Sequence, residues 1–278
     1  MTTTDYPPPV DKLLTLGDAR DSMSHWPDYL AYGLGPEHIP DLIRMATDKE
    51  LYVAGSGSLE VWAPVHAGRA LGQLHAESAV EPLIGLLHND DRHDDWVREQ
   101  LPVVFGLIGT VAIPALVAYL ADSSHGQYAR GAAAHSLEKI AQQHPDARAE
   151  CVAALSRQLD RFADNSLALN GFIVGHLLDL KAVEAAPAME RAFAAGRVEL
   201  VVAGDWEDVQ IELGLQQERA TPKPHYLADS LGPELSAKLA DLSQRIQIVE
   251  PQFQPKRKAK KRDKRKPQEP RSKKSRKK

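Results

Sequence analysis

The 278 residues carry 34 Lys and Arg, 38 Asp and Glu and a single Cys, for a formal net charge of −4. That balance averages two unlike parts: residues 256–278 hold 15 Lys/Arg and two acids, Asp263 and Glu269, a net of +13, which leaves 19 basic and 36 acidic residues, a net of −17, in residues 1–255. The lone Cys151 excludes an intrachain disulfide framework and any multi-cysteine zinc or iron–sulfur centre. No apolar run reaches the roughly 18–20 residues that span a bilayer, and MTTTDYPPPVDK lacks the basic and apolar regions of a signal peptide. The composition predicts a soluble, cytoplasmic protein that makes no membrane contact.

In chain order, residues 1–12 with Pro7-Pro8-Pro9 read as an extended N-terminal arm, because proline offers no donor and favours polyproline geometry. Residues 13–198 read as helix after helix, with apolar residues at spacings of three and four. Four segments start a helix with the same pattern: Ile39-Pro40-Asp41-Leu42, Val80-Glu81-Pro82-Leu83, Ile113-Pro114-Ala115-Leu116 and Ala186-Pro187-Ala188-Met189. Proline is tolerated in a first turn, where its missing N–H has no intrahelical partner, so each marks a helix start. A fifth copy, Val152-Ala153-Ala154-Leu155, lacks the proline. With Leu42, Leu83, Leu116, Leu155 and Met189 equivalent, Ala46, Leu87, Leu120, Leu159 and Phe193 follow four residues later, at the period of a two-helix repeat. The helices between them carry small residues, as in Ala67-Gly68-Arg69-Ala70-Leu71-Gly72, Arg130-Gly131-Ala132-Ala133-Ala134 and Asn170-Gly171, which suit close helix approach.

Residues 199–250 read as an irregular acidic segment followed by a capping helix from Ser230-Leu231-Gly232-Pro233-Glu234, with Leu235, Leu239, Leu242, Ile246 and Val249 near one face. Pro251 and Pro255 stop that helix, and residues 251–278 read as a disordered polybasic tail.

Ala70-Leu71-Gly72-Gln73-Leu74 with Ala79-Val80-Glu81-Pro82-Leu83, and Gly106-Leu107-Ile108-Gly109 with Ala112-Ile113-Pro114-Ala115-Leu116, resemble the HEAT-repeat family, in particular the short bacterial HEAT-like repeats of the phycobilisome-lyase type. The resemblance spans residues 36–195 and implies an all-α fold: a right-handed α-solenoid of about five helical pairs. The stretch from Asp179-Leu180-Lys181 to Trp206-Glu207-Asp208-Val209 is similar to bacterial HEAT-like proteins, some of which end in a cysteine-rich zinc motif; this chain carries the lysine-rich tail there instead. HEAT-type hydroxylases such as deoxyhypusine hydroxylase hold two irons on His-Glu pairs. None of the 11 histidines here precedes Glu, so that chemistry does not carry over, and His66, His135 and His176 read as packing or groove-lining residues.

His88-Asn89-Asp90-Asp91-Arg92-His93-Asp94-Asp95 offers metal-ligand types, but its spacing fits neither a calcium loop nor a helical zinc pair, and it reads more simply as a loop that caps the next helix. Cys151, among Ala and Val, reads as a buried residue rather than a nucleophile. Gly55-Ser56-Gly57-Ser58 lacks the context of a phosphate loop and reads as a flexible connection in which Ser58 caps a helix. No catalytic residue, metal ligand or cofactor is assigned.

Two surfaces remain. Asp205, Trp206, Glu207 and Asp208, an aromatic ringed by carboxylates, point to protein contact, with a core plug at Trp206 as the competing reading. Lys256, Arg257, Lys258, Lys260, Lys261, Arg262, Lys264, Arg265, Lys266, Arg271, Lys273, Lys274, Arg276, Lys277 and Lys278 point to salt-dependent, sequence-nonspecific binding of RNA, DNA or the ribosome. The expected function is a non-enzymatic adaptor that binds a protein partner on its helical scaffold and tethers it to polyanion through the tail. The alternative is a metal-dependent enzyme, or a lyase-like enzyme accessory, that uses the solenoid groove.

Overall fold

The computed structural model describes residues 5–22, 25–55, 57–88, 95–224, 226 and 238. The chain divides into two units, Met1–Ser230 and Leu231–Lys278, and of the second only Lys238 is described. The expected capping helix and the tail therefore lie outside the described residues, as does most of His88–Asp95.

Among the described residues there is no strand, and twelve α-helices follow one another: α1 Ile39–Ala46, α2 Lys49–Tyr52, α3 Ala63–Gln73, α4 Val80–Ile84, α5 Asp95–Ile108, α6 Ile113–Ala121, α7 Gln127–Gln143, α8 Arg148–Leu159, α9 Leu167–Asp179, α10 Ala186–Ala194, α11 Leu200–Ala203 and α12 Trp206–Glu212. The first unit is an all-α solenoid of two layers. Helices α1, α4, α6, α8, α10 and α12 pack in sequence to form one, and α3, α5, α7, α9 and α11 form the other. Helices α1, α4, α6, α8 and α10 each follow a single 3-10 turn, at Pro36–His38, Glu77–Ala79, Thr110–Ala112, Pro145–Ala147 and Val183–Ala185. Pro40, Pro114 and Pro187 sit in the first turn of α1, α6 and α10, where a missing N–H costs no hydrogen bond.

The repeat register read from the sequence is the register of the core. Leu42, Leu83, Leu116, Leu155 and Met189 are all fully buried, as are Ala46 and Leu159, with Leu87 and Leu120 almost so, while Phe193 packs partly buried against the core.

The second layer is set by glycine. A methyl group on Gly131 of α7 would stand 2.9 Å from the Phe172 ring of α9, and one on Gly171 of α9 would stand 3.0 Å from Val202 Cβ of α11 and 3.3 Å from the Glu199 carbonyl. A Cβ on Gly72 of α3 would stand 3.2 Å from the Leu107 side chain of α5, and one on Gly106 of α5 would stand 2.7 Å from the Gln143 amide and 3.0 Å from the Lys139 Cβ of α7. Each helix thus takes a side chain of its successor over a residue with no Cβ. Glycine costs about 1 kcal/mol against alanine inside a helix, a cost that close packing offsets at these four places. Gly68 of α3 and Gly175 of α9 meet nothing within 4 Å.

Polar groups fasten neighbouring pairs. The Arg148 guanidinium donates to the Leu180 carbonyl at 2.8 Å, at the C-terminal end of α9, and His75 and His144 engage the Leu107 and Gly106 carbonyls at the end of α5. Deeper in, Arg130 donates to Asn165 Oδ1 at 3.0 Å, Asn165 donates to Asn170 Oδ1 at 2.9 Å, and Asn170 donates to the Arg197 carbonyl at 2.6 Å. Arg69, 1% exposed, donates to Gln100 Oε1 and to the Ala19 carbonyl. Every link in this column has a partner, as burial of polar atoms requires.

Two boundaries differ from the sequence expectation. The described part of the arm, residues 5–12, is folded rather than extended: Val10–Thr15 is a 3-10 helix, Tyr6, Val10 and Leu13 are buried, and this segment packs on α3. Tyr6 donates to Asp48 at 2.7 Å and lies under the Arg44 guanidinium. The physical reason lies at the start of the described stack. Among the described residues no helical pair precedes α1, and Tyr6, Val10 and Leu13 cover the apolar side of the first helices, a pattern that the proline run conceals. The second difference is at 199–212, expected to be irregular. Gly204 at φ +74° divides this stretch into α11 and α12, which continue the two layers as a shortened further pair.

Leu13→Ala is expected to cost about 2–5 kcal/mol of unfolding free energy in denaturant titration; a change below half a kcal/mol would mean that the N-terminal segment is not part of the core. Gly171→Ala is expected to lower the melting temperature while Gly175→Ala, one turn later on α9, raises stability by about 0.5–1 kcal/mol. Equal effects at both positions would contradict the packing role of Gly171.

Candidate functional site

The outward face of the second layer carries a groove of about 480 Å³ lined by Glu99 of α5, Tyr128, Gly131, Ala132 and His135 of α7, and Phe172 and His176 of α9. Its construction follows from helix periodicity. Tyr128, Gly131 or Ala132, His135 and Glu138 form one stripe along α7, and Phe172, His176 and Asp179 form one stripe along α9. Because the small residues of α7 hold these helices close, His135 and His176 stack nearly parallel, with ring centroids 5.0 Å apart and planes 7° apart. Tyr128 is 58% exposed at the rim, its ring 6.1 Å from that of Phe172.

Below the histidine pair lies Glu138, 2% exposed. Its Oε2 is 2.6 Å from His176 Nδ1, and its Oε1 accepts from Lys139 Nζ at 2.9 Å and Gln142 Nε2 at 2.8 Å. Burial by itself would raise the Glu138 carboxyl, but the hydrogen bonds from His176 and Lys139 outweigh it and hold the group down at about 2. His135 is pushed down to about 4 by burial, with the His176 charge acting in the same direction. At neutral pH the groove therefore presents an uncharged imidazole on His135 and an ionised carboxylate beside His176. Glu138, His176 and Asp179 each offer a ligand atom within 4.8 Å of the others.

The sequence-selected residues fall elsewhere. Asp205 caps α12, accepting from the Asp208 N–H at 2.9 Å, and Trp206 lies half-buried with its ring 5.7 Å from Phe193. The three carboxylates are met within the chain. Arg219 stands 2.6 Å from Asp205, 2.7 Å from Asp208 and 3.3 Å from Glu207, and the Tyr226 hydroxyl donates to Asp208. The Arg219 guanidinium holds Asp205 down at about 2. The tail residues, Lys256 to Lys278, lie outside the described residues.

Cys151 is buried, and burial pushes its thiol up to about 11, so it is no thiolate nucleophile at neutral pH. Ser58 precedes a 3-10 turn at Leu59–Trp62 but makes no capping hydrogen bond, so the expected cap is absent. His66 is a packing residue, with Nδ1 2.7 Å from the Tyr29 hydroxyl and Nε2 3.0 Å from the Gly17 carbonyl. His135 and His176 line the groove, as their helical setting suggested.

Sequence reasoning missed Glu138 and the pairing of the two stripes. A signal was available in the repeat period: His135 and Glu138 lie 41 residues before His176 and Asp179, and equivalent positions of adjacent pairs stand side by side in a stack.

The unfolded chain protonates His135 near 6.5 while the folded chain holds it neutral down to about 4, so between these values the unfolded state binds more protons and stability rises with pH. The contribution is complete above pH 6.5 and is lost as pH falls towards 4. Replacing His135 by Asn is expected to flatten that part of the stability profile, measured by urea unfolding at successive pH values; an unchanged slope would show that His135 titrates normally.

Among the described residues no single helix is long and apolar enough to cross a membrane. No curated protein and no solved structure is similar enough to the chain to count as a match. Residues 60–138, from the turn before α3 to Glu138 of α7, match the family model described as HEAT repeats, and this matched segment, which spans less than half of the chain, lies within the two-layer helical stack.

Proposed function

We propose that the chain is a non-enzymatic interaction scaffold whose groove between α7 and α9 docks a partner protein while the tail tethers the complex to nucleic acid or the ribosome. HEAT repeats generally serve as scaffolds for protein interaction, which supports the first half of this reading. The observation that carries it is Tyr128: an aromatic ring 58% exposed beside Phe172, at the mouth of a groove with a floor of Gly131 and Ala132. Rigid aromatic anchors next to a shaped pocket are the usual centre of a binding hot spot. Among the described residues that line the groove none is Lys or Arg, and Glu99 adds negative charge, which supports a basic partner segment. In this reading the groove is the principal contact in place of Asp205, Trp206, Glu207 and Asp208, whose carboxylates are engaged by Arg219.

The tail belongs to the same proposal. Fifteen Lys/Arg in 23 residues, without an aromatic, supply counterion release and no base stacking.

Selection of displayed peptides on the full chain is expected to return Lys/Arg-containing sequences that bind at least tenfold more weakly to Tyr128→Ala; selected peptides indifferent to Tyr128→Ala would move the docking surface off the groove. Fluorescent RNA and duplex DNA are expected to bind the full chain with affinity that falls steeply as salt rises, and to lose that binding when the chain ends at Pro255. Undiminished binding by the shortened chain would remove the tail from the mechanism.

A further inference from the structure

We propose that Glu138, His176 and Asp179 form a binding site for a divalent transition-metal ion, of the Zn²⁺ class, at the end of the groove between α7 and α9. The three side chains come from two adjacent helices and bring one imidazole and two carboxylates within 4.8 Å of one another. One nitrogen and two oxygens suit a borderline divalent ion better than a soft one, which would require thiolate.

The surroundings resemble those of a metal ligand set more than those of a casual surface cluster. Glu138 is 2% exposed, and its two oxygens are differentiated: Oε1 accepts from Lys139 and Gln142, which fixes the carboxylate plane, while Oε2 is turned to His176 Nδ1 at 2.6 Å. Outer contacts of this kind orient ligating carboxylates. His176 is held from its other side by the parallel ring of His135. Both helices are anchored away from the site, α9 by Asn170 in the buried polar column and α7 by Arg130 in the same column, so the ligands sit on rigid elements. Asp179 is exposed and the groove is open, which provides the entry path.

Ion binding places the metal between His176 Nδ1 and Glu138 Oε2, which separate from 2.6 Å to about 3.3–3.6 Å to admit tetrahedral ligand bonds of roughly 2.0–2.2 Å. The ion takes the place of the Nδ1 proton that His176 gives to the Glu138 bond, so the bound imidazole carries its single proton on Nε2. Three protein ligands leave a tetrahedral ion one position open to the groove, available to water or to an anionic group of a bound molecule. This inference stands on ligand geometry and is independent of whether the groove docks a peptide.

The test is calorimetric titration of the chelator-stripped full chain with Zn²⁺, with no partner or nucleic acid present. One equivalent is expected to bind, weakened at least tenfold in Asp179→Asn and in His176→Ala, and unaffected in a His88→Ala/His93→Ala double variant that removes the histidines of the other ligand-rich segment. Asp179→Asn decides the matter because Asp179 is exposed, and far-UV circular dichroism with the melting temperature in chelator establishes that each variant is folded. The proposal is overturned if the full chain binds no stoichiometric Zn²⁺, if Asp179→Asn binds as the parent does, or if binding disappears with His88 and His93.

Discussion

The close approach of α3, α5, α7, α9 and α11 over glycine is the constraint on which the rest of the molecule depends. At Gly72, Gly106, Gly131 and Gly171 a side chain or Cβ of the next helix occupies the space that a Cβ would take. A helix layer spaced this closely can bury its apolar side only in a stack, because each pair covers its neighbour and has no core of its own. The polar column of Arg130, Asn165 and Asn170 then becomes possible, since the distances between pairs are short enough for single side chains to bridge them. Packing and polar satisfaction thus have one origin in the spacing of small residues.

The same spacing produces the groove. Stacking at a fixed repeat period sets equivalent residues of adjacent helices next to one another, so a histidine on α7 meets a histidine on α9 and the acidic residue three positions later on each falls on the same side. With Gly131 and Ala132 at the floor, side chains that would otherwise splay into solvent enclose a cavity between Tyr128 and Phe172. Glu138 keeps its charge at 2% exposure because His176, Lys139 and Gln142 all donate to it. A buried, hydrogen-bonded carboxylate beneath an open aromatic rim is an asymmetric site: hard and fixed below, adaptable above.

At the start of the described stack and in its last described pair the chain spends residues on local contacts. At the first, Tyr6, Val10 and Leu13 fold back over α3 and its neighbours. In the last described pair, α11 and α12 are short, and Arg219 gathers Asp205, Glu207 and Asp208 while Trp206 rests on Phe193. The cluster that looked from sequence like a surface for a basic partner has a basic partner within the chain, 14 residues beyond Asp205. Its charges serve local folding first.

What the linear order of residues determined by itself is the part governed by local rules. Proline in a first turn, apolar residues at spacings of three and four, and a recurring leucine or methionine established the helix starts, the repeat register and the buried set from Leu42 to Met189. The HEAT-like character was legible for the same reason, since a repeat writes its packing into a period. The tertiary structure alone decided which polar residues meet. Nothing local distinguishes His135 and His176, which share a groove wall, from His66, which is sealed against Tyr29; the helices that carry them differ only in their neighbours. Likewise Pro7-Pro8-Pro9 specifies backbone geometry but not that Val10 and Leu13 will find an uncovered helix to bury against. Periodicity fixes which face of a helix is apolar, whereas the identity of the side chain across the gap depends on how the helices are spaced and staggered, a property of the assembled stack.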